Sequence, residues 1–130
     1  MNTSDIYREE IIDHSKHPRN FGKIAKPDVR YKEKNPLCGD EIELFVKLDS
    51  HKKVKAVAFN GAGCVISRAS ASLFTEAIKG KSVRELEQLS AKDALECLGL
   101  SELTPTRQKC ALLVLETLKR GLKKYQQKTK

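Results

Sequence analysis

The segment 41–60 has the pattern of a β-hairpin. Apolar residues alternate with mainly polar ones over residues 41–48, which is the two-residue period of a strand with one buried face. A polar turn over 49–52 follows, and 53–60 has the composition of a second strand. Because the turn is short, the two strands are predicted to pair antiparallel. The apolar positions of the first strand are Ile42, Leu44, Val46 and Leu48.

Beyond Gly63 the spacing of apolar residues changes to that of helices. A stripe at helical spacing covers residues 66–78 and ends at Lys79-Gly80-Lys81. Ser82 opens a capping box for a short helix, and Ser90 can cap another that ends near Gly99. Thr104-Pro105 then provides a cap and a first-turn proline for a long final helix.

The N-terminal part completes the predicted fold. Ser4 or Asp5 can cap a helix that runs to about His14, and Val29 to Tyr31 has the character of a first strand. The fold class is therefore predicted to be α+β, with a small three-stranded antiparallel sheet, helices packed on one of its faces, an N-terminal helix and a long C-terminal helix. With neither repeats nor linkers, residues 1–130 are expected to form a single domain with a basic tail at about 123–130.

Charge and hydropathy exclude several classes of protein. No apolar run approaches the roughly 20 residues of a membrane span, and residues 1–15 lack the apolar centre of a signal peptide, so a cytoplasmic protein is expected. Lysine and arginine outnumber the acids 25 to 17. No RNA-binding aromatic motif or repeated zinc-finger spacing accompanies this excess, so no nucleic-acid partner is predicted. The basic residues near the C-terminus are Lys119, Arg120, Lys123, Lys124, Lys128 and Lys130.

Three of the four cysteines stand at boundaries between predicted elements. Cys38 lies in a turn between two strands, Cys64 follows Gly61-Ala62-Gly63 and opens a helix, and Cys110 lies in the opening turns of the last helix. A disulfide framework is not expected in a reducing compartment. At helix starts, free backbone N–H groups and neighbouring cations favour a thiolate. Cys97 lies between leucines in a short apolar helix and is predicted to be a packing residue.

These three cysteines and Asp40 have the chemistry of one metal site. Three sulfurs and one carboxylate oxygen suit tetrahedral zinc, or an iron cluster with one ligand that is not a thiolate. A carboxylate in place of a fourth thiolate makes such a site easier to empty. The spacing matches no zinc-finger pattern, so from the residues alone separate core cysteines and a turn-forming aspartate stay an alternative.

Several motifs together resemble the signature blocks of the IscU/NifU N-terminal family. Resemblance covers nearly the entire chain, and the three cysteine-containing blocks are the most specific part of it. The matching segments are Tyr7 to Phe21, Asn35-Pro-Leu-Cys-Gly-Asp40, Gly61-Ala-Gly-Cys-Val-Ile-Ser-Arg-Ala-Ser-Ala-Ser72, Lys79-Gly-Lys81 and Arg107-Gln-Lys-Cys-Ala111.

The resemblance implies a scaffold or carrier for iron–sulfur cluster assembly rather than an enzyme in the strict sense. By this resemblance Cys38, Asp40, Cys64 and Cys110 bind metal and cluster, and the three cysteines are the candidates for accepting sulfur. A pyridoxal-phosphate-dependent cysteine desulfurase is the implied sulfur donor, and a transient [2Fe-2S] cluster passes to apo iron–sulfur proteins. A zinc or iron ion is implied to occupy the same ligands at other times.

Two departures from the family pattern keep other functions open. Lys109 stands where IscU scaffolds typically have histidine, and it resembles the SufU branch, so a zinc-dependent sulfur acceptor that carries a persulfide is the main alternative. The segment Leu103-Thr-Pro-Thr-Arg107 differs at two positions from the one by which classical IscU engages an Hsp70-type chaperone, so that partner is not expected. A binding module that uses the basic tail for an acidic partner is a weaker alternative.

Overall fold

The structure, a computed structural model, describes residues 3–35, 39–99 and 104–129. Within these ranges it has three strands and five helices. The predicted α+β class is confirmed, including the antiparallel sheet, the N-terminal helix and the long C-terminal helix. In chain order the elements are α1 (Thr3–Lys16), β1 (Val29–Asn35), β2 (Asp40–Leu48), β3 (Val54–Asn60), α2 (Val65–Ile78), α3 (Val83–Glu87), α4 (Ala91–Leu98) and α5 (Pro105–Thr129).

The sheet has the order β1-β2-β3, with both pairs antiparallel. Val46 of β2 lies opposite Val29 of β1 and Val57 of β3, so one face of the sheet is continuous apolar surface across the three strands. This face packs against the helices, as the alternation in β2 predicted. Fully burying a Val or Leu side chain stabilises a fold by about 1.5–3 kcal/mol, so this face is a main source of stability.

The opposite face of the sheet is partly shielded by charged side chains. Phe45 is only 3% exposed, and the Arg30 guanidinium stacks over its ring at 5.5 Å from the centroid. The same guanidinium pairs with Glu43 at 2.8 Å across the two strands. A cation above an aromatic ring shields it while remaining in contact with water, which explains how an aromatic residue is tolerated on this face.

Helix α2 packs between α1 and α5 and contacts the sheet at β3. Its small residues were expected to let the helix approach the sheet, but they mainly serve contacts with the other helices. The Ser70 hydroxyl donates a hydrogen bond of 2.6 Å to the Ala111 carbonyl of α5, and the Ser72 hydroxyl lies 2.7 Å from Nδ1 of His14 in α1. Hydroxyls of small side chains thus fix α2 between its two helical neighbours.

The starts of α3, α4 and α5 follow the predicted caps, whereas the cap predicted for α1 at Ser4 or Asp5 was wrong, because both residues lie inside a helix that already includes Thr3. Ser82 and Ser90 each form a complete capping box, and Gly99 ends α4 in the left-handed conformation. Thr104 Oγ1 accepts a hydrogen bond of 3.3 Å from the Arg107 amide at the start of α5. Helix α1 continues two residues beyond the predicted end at His14, to Lys16. Of the helices described, none combines the length and the apolar character that crossing a membrane requires.

Candidate metal centre

Asp40, Cys64 and Cys110 come together at one end of the sheet. One ligand atom of each lies within 4.8 Å of the other two. The three residues belong to different parts of the chain, since Asp40 begins β2, Cys64 precedes α2 and Cys110 lies in α5. Cys38, the fourth predicted ligand, lies outside the described residues. The fold therefore brings together three of the four predicted ligands, from positions far apart in the sequence.

Asp40 is 4% exposed and directed at Cys64. Its Oδ1 accepts a hydrogen bond from the Cys64 amide at 3.1 Å, and its Oδ2 accepts one from the Cys64 thiol at 3.4 Å. A buried carboxylate is costly unless its oxygens are hydrogen-bonded, and here the loop before α2 satisfies both. The carboxylate is thus held in contact with the sulfur.

Cys64 is the N-cap of α2. Its sulfur accepts a hydrogen bond of 3.5 Å from the Ser67 amide, one of the N–H groups that the start of a helix leaves without a backbone partner. The Ser67 hydroxyl donates in turn to the Cys64 carbonyl at 3.2 Å. These hydrogen bonds hold Cys64 in place. The residue is only half-buried, so it remains partly accessible to solvent.

Two glycines allow the loop before Cys64 to approach Asp40. Gly61 has φ +137°, and a Cβ there would lie 2.1 Å from the Glu41 carbonyl oxygen. At Gly63 a Cβ would lie 2.2 Å from the Ser67 hydroxyl and 3.3 Å from Cγ of Asp40. A larger residue at Gly61 must therefore displace backbone, whereas one at Gly63 must displace the Ser67 side chain or the loop. The Gly61-Ala-Gly63 sequence is required by close packing of the loop against β2.

Cys110 has a different environment. It is 4% exposed and lies in the second turn of α5, within an apolar cluster that α1, α2 and α4 complete. The cations that were predicted to act on it, Arg107 and Lys109, are exposed. Apolar packing therefore contributes to fixing this side chain. The buried members of the cluster are Ile11, Ile66, Ala69, Leu98, Cys110 and Ala111.

The donor set fits a tetrahedral metal ion. Ligand atoms around zinc at about 2.0–2.3 Å are roughly 3.3–3.8 Å from one another. The distance of 3.4 Å between Asp40 Oδ2 and Cys64 Sγ lies in this range. The ligand atoms of Asp40, Cys64 and Cys110 all lie within 4.8 Å of one another, so small side-chain movements would bring the three to bonding distance of one ion. Two sulfurs and a carboxylate oxygen are ligands that zinc and iron both accept.

Two further positions singled out in the sequence lie outside this group. Lys109 is exposed and borders a cavity of about 430 Å³ together with Glu33 and Lys34. Cys97 is half-buried and packs against the main core, as predicted. Burial raises the pKa of the Cys97 thiol, and nearby Asp93 acts in the same direction. Both effects favour the protonated thiol, in keeping with a packing role for Cys97.

Comparison with known families gives the decisive observation. The profile of the NifU-like N-terminal domain family matches residues 6–130, which is nearly the complete chain. The chain belongs to this family. The match includes the three described residues that converge and the position of Cys38.

Relatives within the family carry the names SufU and IscU, the two branches that the sequence motifs resembled. The chain is 35% identical to the zinc-dependent sulfurtransferase SufU of Bacillus subtilis, covering 95% of this chain and 93% of that protein. It is 37% identical to the iron–sulfur cluster assembly scaffold protein IscU of Thermotoga maritima, covering 92% and 94%. A crystal structure described as a SUF-system scaffold protein, from Fervidobacterium islandicum, superposes with a TM-score of 0.74 at 31% identity, covering 93% and 99%.

Sequence reasoning missed the residues whose hydrogen bonds position the ligand-bearing segments of this NifU-like site. From the sequence, Ser67 was expected only to let the helix pack tightly, but its amide donates to the Cys64 sulfur and its hydroxyl donates to the Cys64 carbonyl. Its position three residues after the N-cap was the signal that could have identified it. The contacts made by Ser70 and by His14 with Ser72 had no comparable signal, because they join segments distant in sequence.

Proposed function

We propose that this chain is an iron–sulfur cluster assembly scaffold that receives sulfur from a cysteine desulfurase, binds iron, holds a labile [2Fe-2S] cluster and donates it to apo-proteins. The observation that carries the proposal is the convergence of Asp40, Cys64 and Cys110 within 4.8 Å. The fourth ligand that we assign is Cys38, two residues before Asp40 in the sequence. The names of the scaffold relatives support the same function.

The proposed roles follow from the environments of these side chains. Cys64 can receive iron or sulfur from outside because it is half-buried, whereas Cys110 anchors the cargo from the interior. Asp40 accepts the hydrogen bond of the Cys64 amide. As a ligand it offers a hard carboxylate oxygen in place of a fourth thiolate. The thiols must lose their protons when they bind metal, so loading should release protons and weaken at low pH.

Anaerobic reconstitution tests the scaffold proposal. Incubation with ferrous iron, cysteine and a pyridoxal-phosphate-dependent cysteine desulfurase should give protein-bound acid-labile sulfide and sulfur-to-iron charge-transfer absorption. Cys97→Ser is the matched control, because this thiol packs on the core away from the proposed ligands, and it should load like the wild type. Failure of the wild type to gain acid-labile sulfide would count against the scaffold function.

A second function is favoured by Lys109 and by the similarity to a zinc-dependent sulfurtransferase. In this function a zinc ion occupies the same ligands until the desulfurase engages the site. A freed cysteine thiolate then attacks the terminal sulfur of the desulfurase persulfide. One S–S bond forms on the acceptor while the other breaks, and the desulfurase cysteine leaves as a thiolate.

Metal and sulfide analysis of the anaerobically purified protein separates the two functions. One zinc per chain, strong stimulation of desulfurase turnover and persulfide without acid-labile sulfide would select the sulfur acceptor. Iron and sulfide in equal amounts would select the scaffold. An Hsp70-type chaperone is not part of either proposal, since the segment Leu103-Thr-Pro-Thr-Arg107 departs at two positions from the family pattern. Leu103 itself lies outside the described residues. The single domain over 1–130, the tail at 123–130 and a cytoplasmic location stay predictions.

A further inference from the structure

The two outer edges of the sheet differ in how the rest of the chain covers them. Along β3, the Phe59 amide donates to the Asn20 carbonyl, the Gly22 amide donates to the Phe59 carbonyl, and the Val54 amide donates to the Lys81 carbonyl. Along β1, the described part of the chain provides neither a further strand nor a backbone hydrogen bond from residues 29–34 to any element except β2. An unpaired edge of this kind can accept another strand.

A groove runs along this open edge of β1, with the C-terminal half of α5 as its other wall. Helix α5 approaches β1 closely at Gly121, where a Cβ would lie 2.9 Å from Cγ1 of Val29. Beyond this crossing the groove has a volume of about 560 Å³ and contains the partly buried rings of Tyr31 and Tyr125. A second opening, reached past Lys124, continues it along α5.

The groove carries an excess of positive charge. The two parts of the groove are lined by five basic side chains and only two acidic ones. Arg30, Lys32 and Arg120 are already paired with glutamates. Lys123 and Lys124 are exposed and have no ion pair with any described residue, so they supply charge that the chain itself does not balance. The cations are Arg30, Lys32, Arg120, Lys123 and Lys124, and the acids are Asp28 and Glu43.

We propose that this groove binds an acidic peptide segment in extended conformation, which adds to β1 as a fourth strand. Main-chain hydrogen bonds to the open edge would provide affinity, and alternate side chains would provide specificity. Acidic side chains on the face toward α5 would meet Lys123 and Lys124, and the alternate side chains would lie on the opposite face, along Arg30 and Lys32. The open strand edge favours a peptide over a nucleic acid, because peptide N–H and C=O groups match those of β1 in spacing.

Binding to a defined probe tests the proposal. The probe is a fluorescein-labelled peptide of about ten residues that alternates glutamate and valine, a length typical of a strand. With the complete wild-type chain, fluorescence anisotropy at low salt should show saturable binding. The double variant K123E/K124E should weaken binding about tenfold or more. The control K52E/K92E has the same net charge but changes exposed residues in the β2–β3 turn and α4, and should weaken binding less than about threefold.

Two further probes separate strand addition from simple charge attraction. A peptide with the same side chains but N-methylated on alternate amides cannot complete the ladder and should lose most of its affinity. Amide shifts on binding should concentrate in residues 29–33, not in β3. The proposal is overturned if the wild type does not bind, if both peptides bind equally, if K52E/K92E and K123E/K124E weaken binding equally, or if a uridine oligonucleotide of equal charge binds more tightly.

Discussion

The two sides of the candidate metal centre are held by different kinds of interaction. On the loop side, Asp40 and the segment Gly61–Cys64 are positioned by hydrogen bonds and by close backbone contacts, and the sulfur of Cys64 is half-buried. On the helix side, Cys110 is buried at 4% exposure within an apolar cluster. The loop side can therefore rearrange with modest loss of stability, whereas the helix side is part of the core.

This difference suggests how one site can combine binding with release. A ligand fixed by packing provides a constant point of attachment, because cores resist displacement. Ligands fixed by a few hydrogen bonds can exchange those bonds for a metal and return to them afterwards. Changes on the loop side should therefore alter metal affinity with little loss of stability, whereas changes on the helix side should also lower stability.

Replacing a ligand should have the largest effect. Cys64→Ser and Cys110→Ser should each lower zinc affinity by at least about 100-fold, since each removes a sulfur ligand. The stability of the metal-free protein should separate them. Serine is a good N-cap, so Cys64→Ser should change the free energy of unfolding by less than about 0.5 kcal/mol, whereas Cys110→Ser buries a hydroxyl and should cost about 1–2 kcal/mol.

Competition with a chromophoric chelator and urea unfolding measure these two quantities. Cys97→Ser is the control and should bind zinc like the wild type. Equal losses of stability in the Cys64 and Cys110 variants would show that the two sides do not differ in the way described.

Shortening a core residue behind Cys110 should have the next largest effect. Leu98 is 1% exposed, and Leu98→Ala should destabilise the protein by about 2–4 kcal/mol through the cavity that it leaves. Leu95→Ala, at a half-buried position of the same helix, should cost about half as much. Thermal or urea unfolding checks both. A Leu98→Ala protein of wild-type stability would refute the role assigned to packing on the helix side.

Adding a methyl group to the loop should change zinc affinity by a smaller amount, and a second substitution should restore part of it. Gly63→Ala places a Cβ against the Ser67 hydroxyl, and should lower zinc affinity about tenfold by displacing Asp40 or Cys64. The double variant G63A/S67A removes the closest contact and should recover part of the loss. Gly61→Ala meets the Glu41 carbonyl, so no side-chain change should rescue it. A G63A/S67A protein no better than G63A would contradict this account of the loop.

The smallest expected effect is a pH dependence at the contact between α1 and α2. His14 is buried against Ser72, and this burial lowers its pKa, with Arg19 acting in the same direction and the nearby acids Glu10, Asp13 and Glu76 opposing it. The unfolded chain then binds the proton more readily. Stability should be fully present above about pH 6.5, the ordinary histidine value, and decline as the pH falls below it.

Urea unfolding between pH 5.5 and 7.5 checks this dependence, which should be weaker than the effect of Leu98→Ala. His14→Asn should reduce it, while His51→Asn, at an exposed turn, should leave it unchanged. A pH dependence that survives in His14→Asn would assign it to another group.

The fold could be predicted from local signals because each element carries its own. The alternation from Ile42 to Leu48 identified the buried face of β2, and the serine caps at Ser82 and Ser90 identified two short helices. Cys64 was predicted at a helix start from the glycines before it. These features depend on neighbouring residues, so the sequence displays them directly.

The environment of Cys110 could not be predicted in the same way. Its neighbours in sequence, Arg107 and Lys109, suggested a charged setting, but its neighbours in space come from α1, α2 and α4. Contacts between distant segments depend on how helices pack, and no local pattern reports that. The hydrogen bond of Ser70 to Ala111 is another example. The site residues were recognisable by type, but the contrast between the two sides required the structure.

X-ray absorption at the zinc edge tests the central claim most directly. In protein loaded with one zinc per chain, Cys38, Asp40, Cys64 and Cys110 should give three sulfur neighbours at about 2.3 Å and one oxygen at about 2.0–2.2 Å. Cys64→Ser and Cys110→Ser should each remove one sulfur from the shell. A shell of nitrogen and oxygen alone, or one unchanged in both variants, would contradict a single site built from these residues.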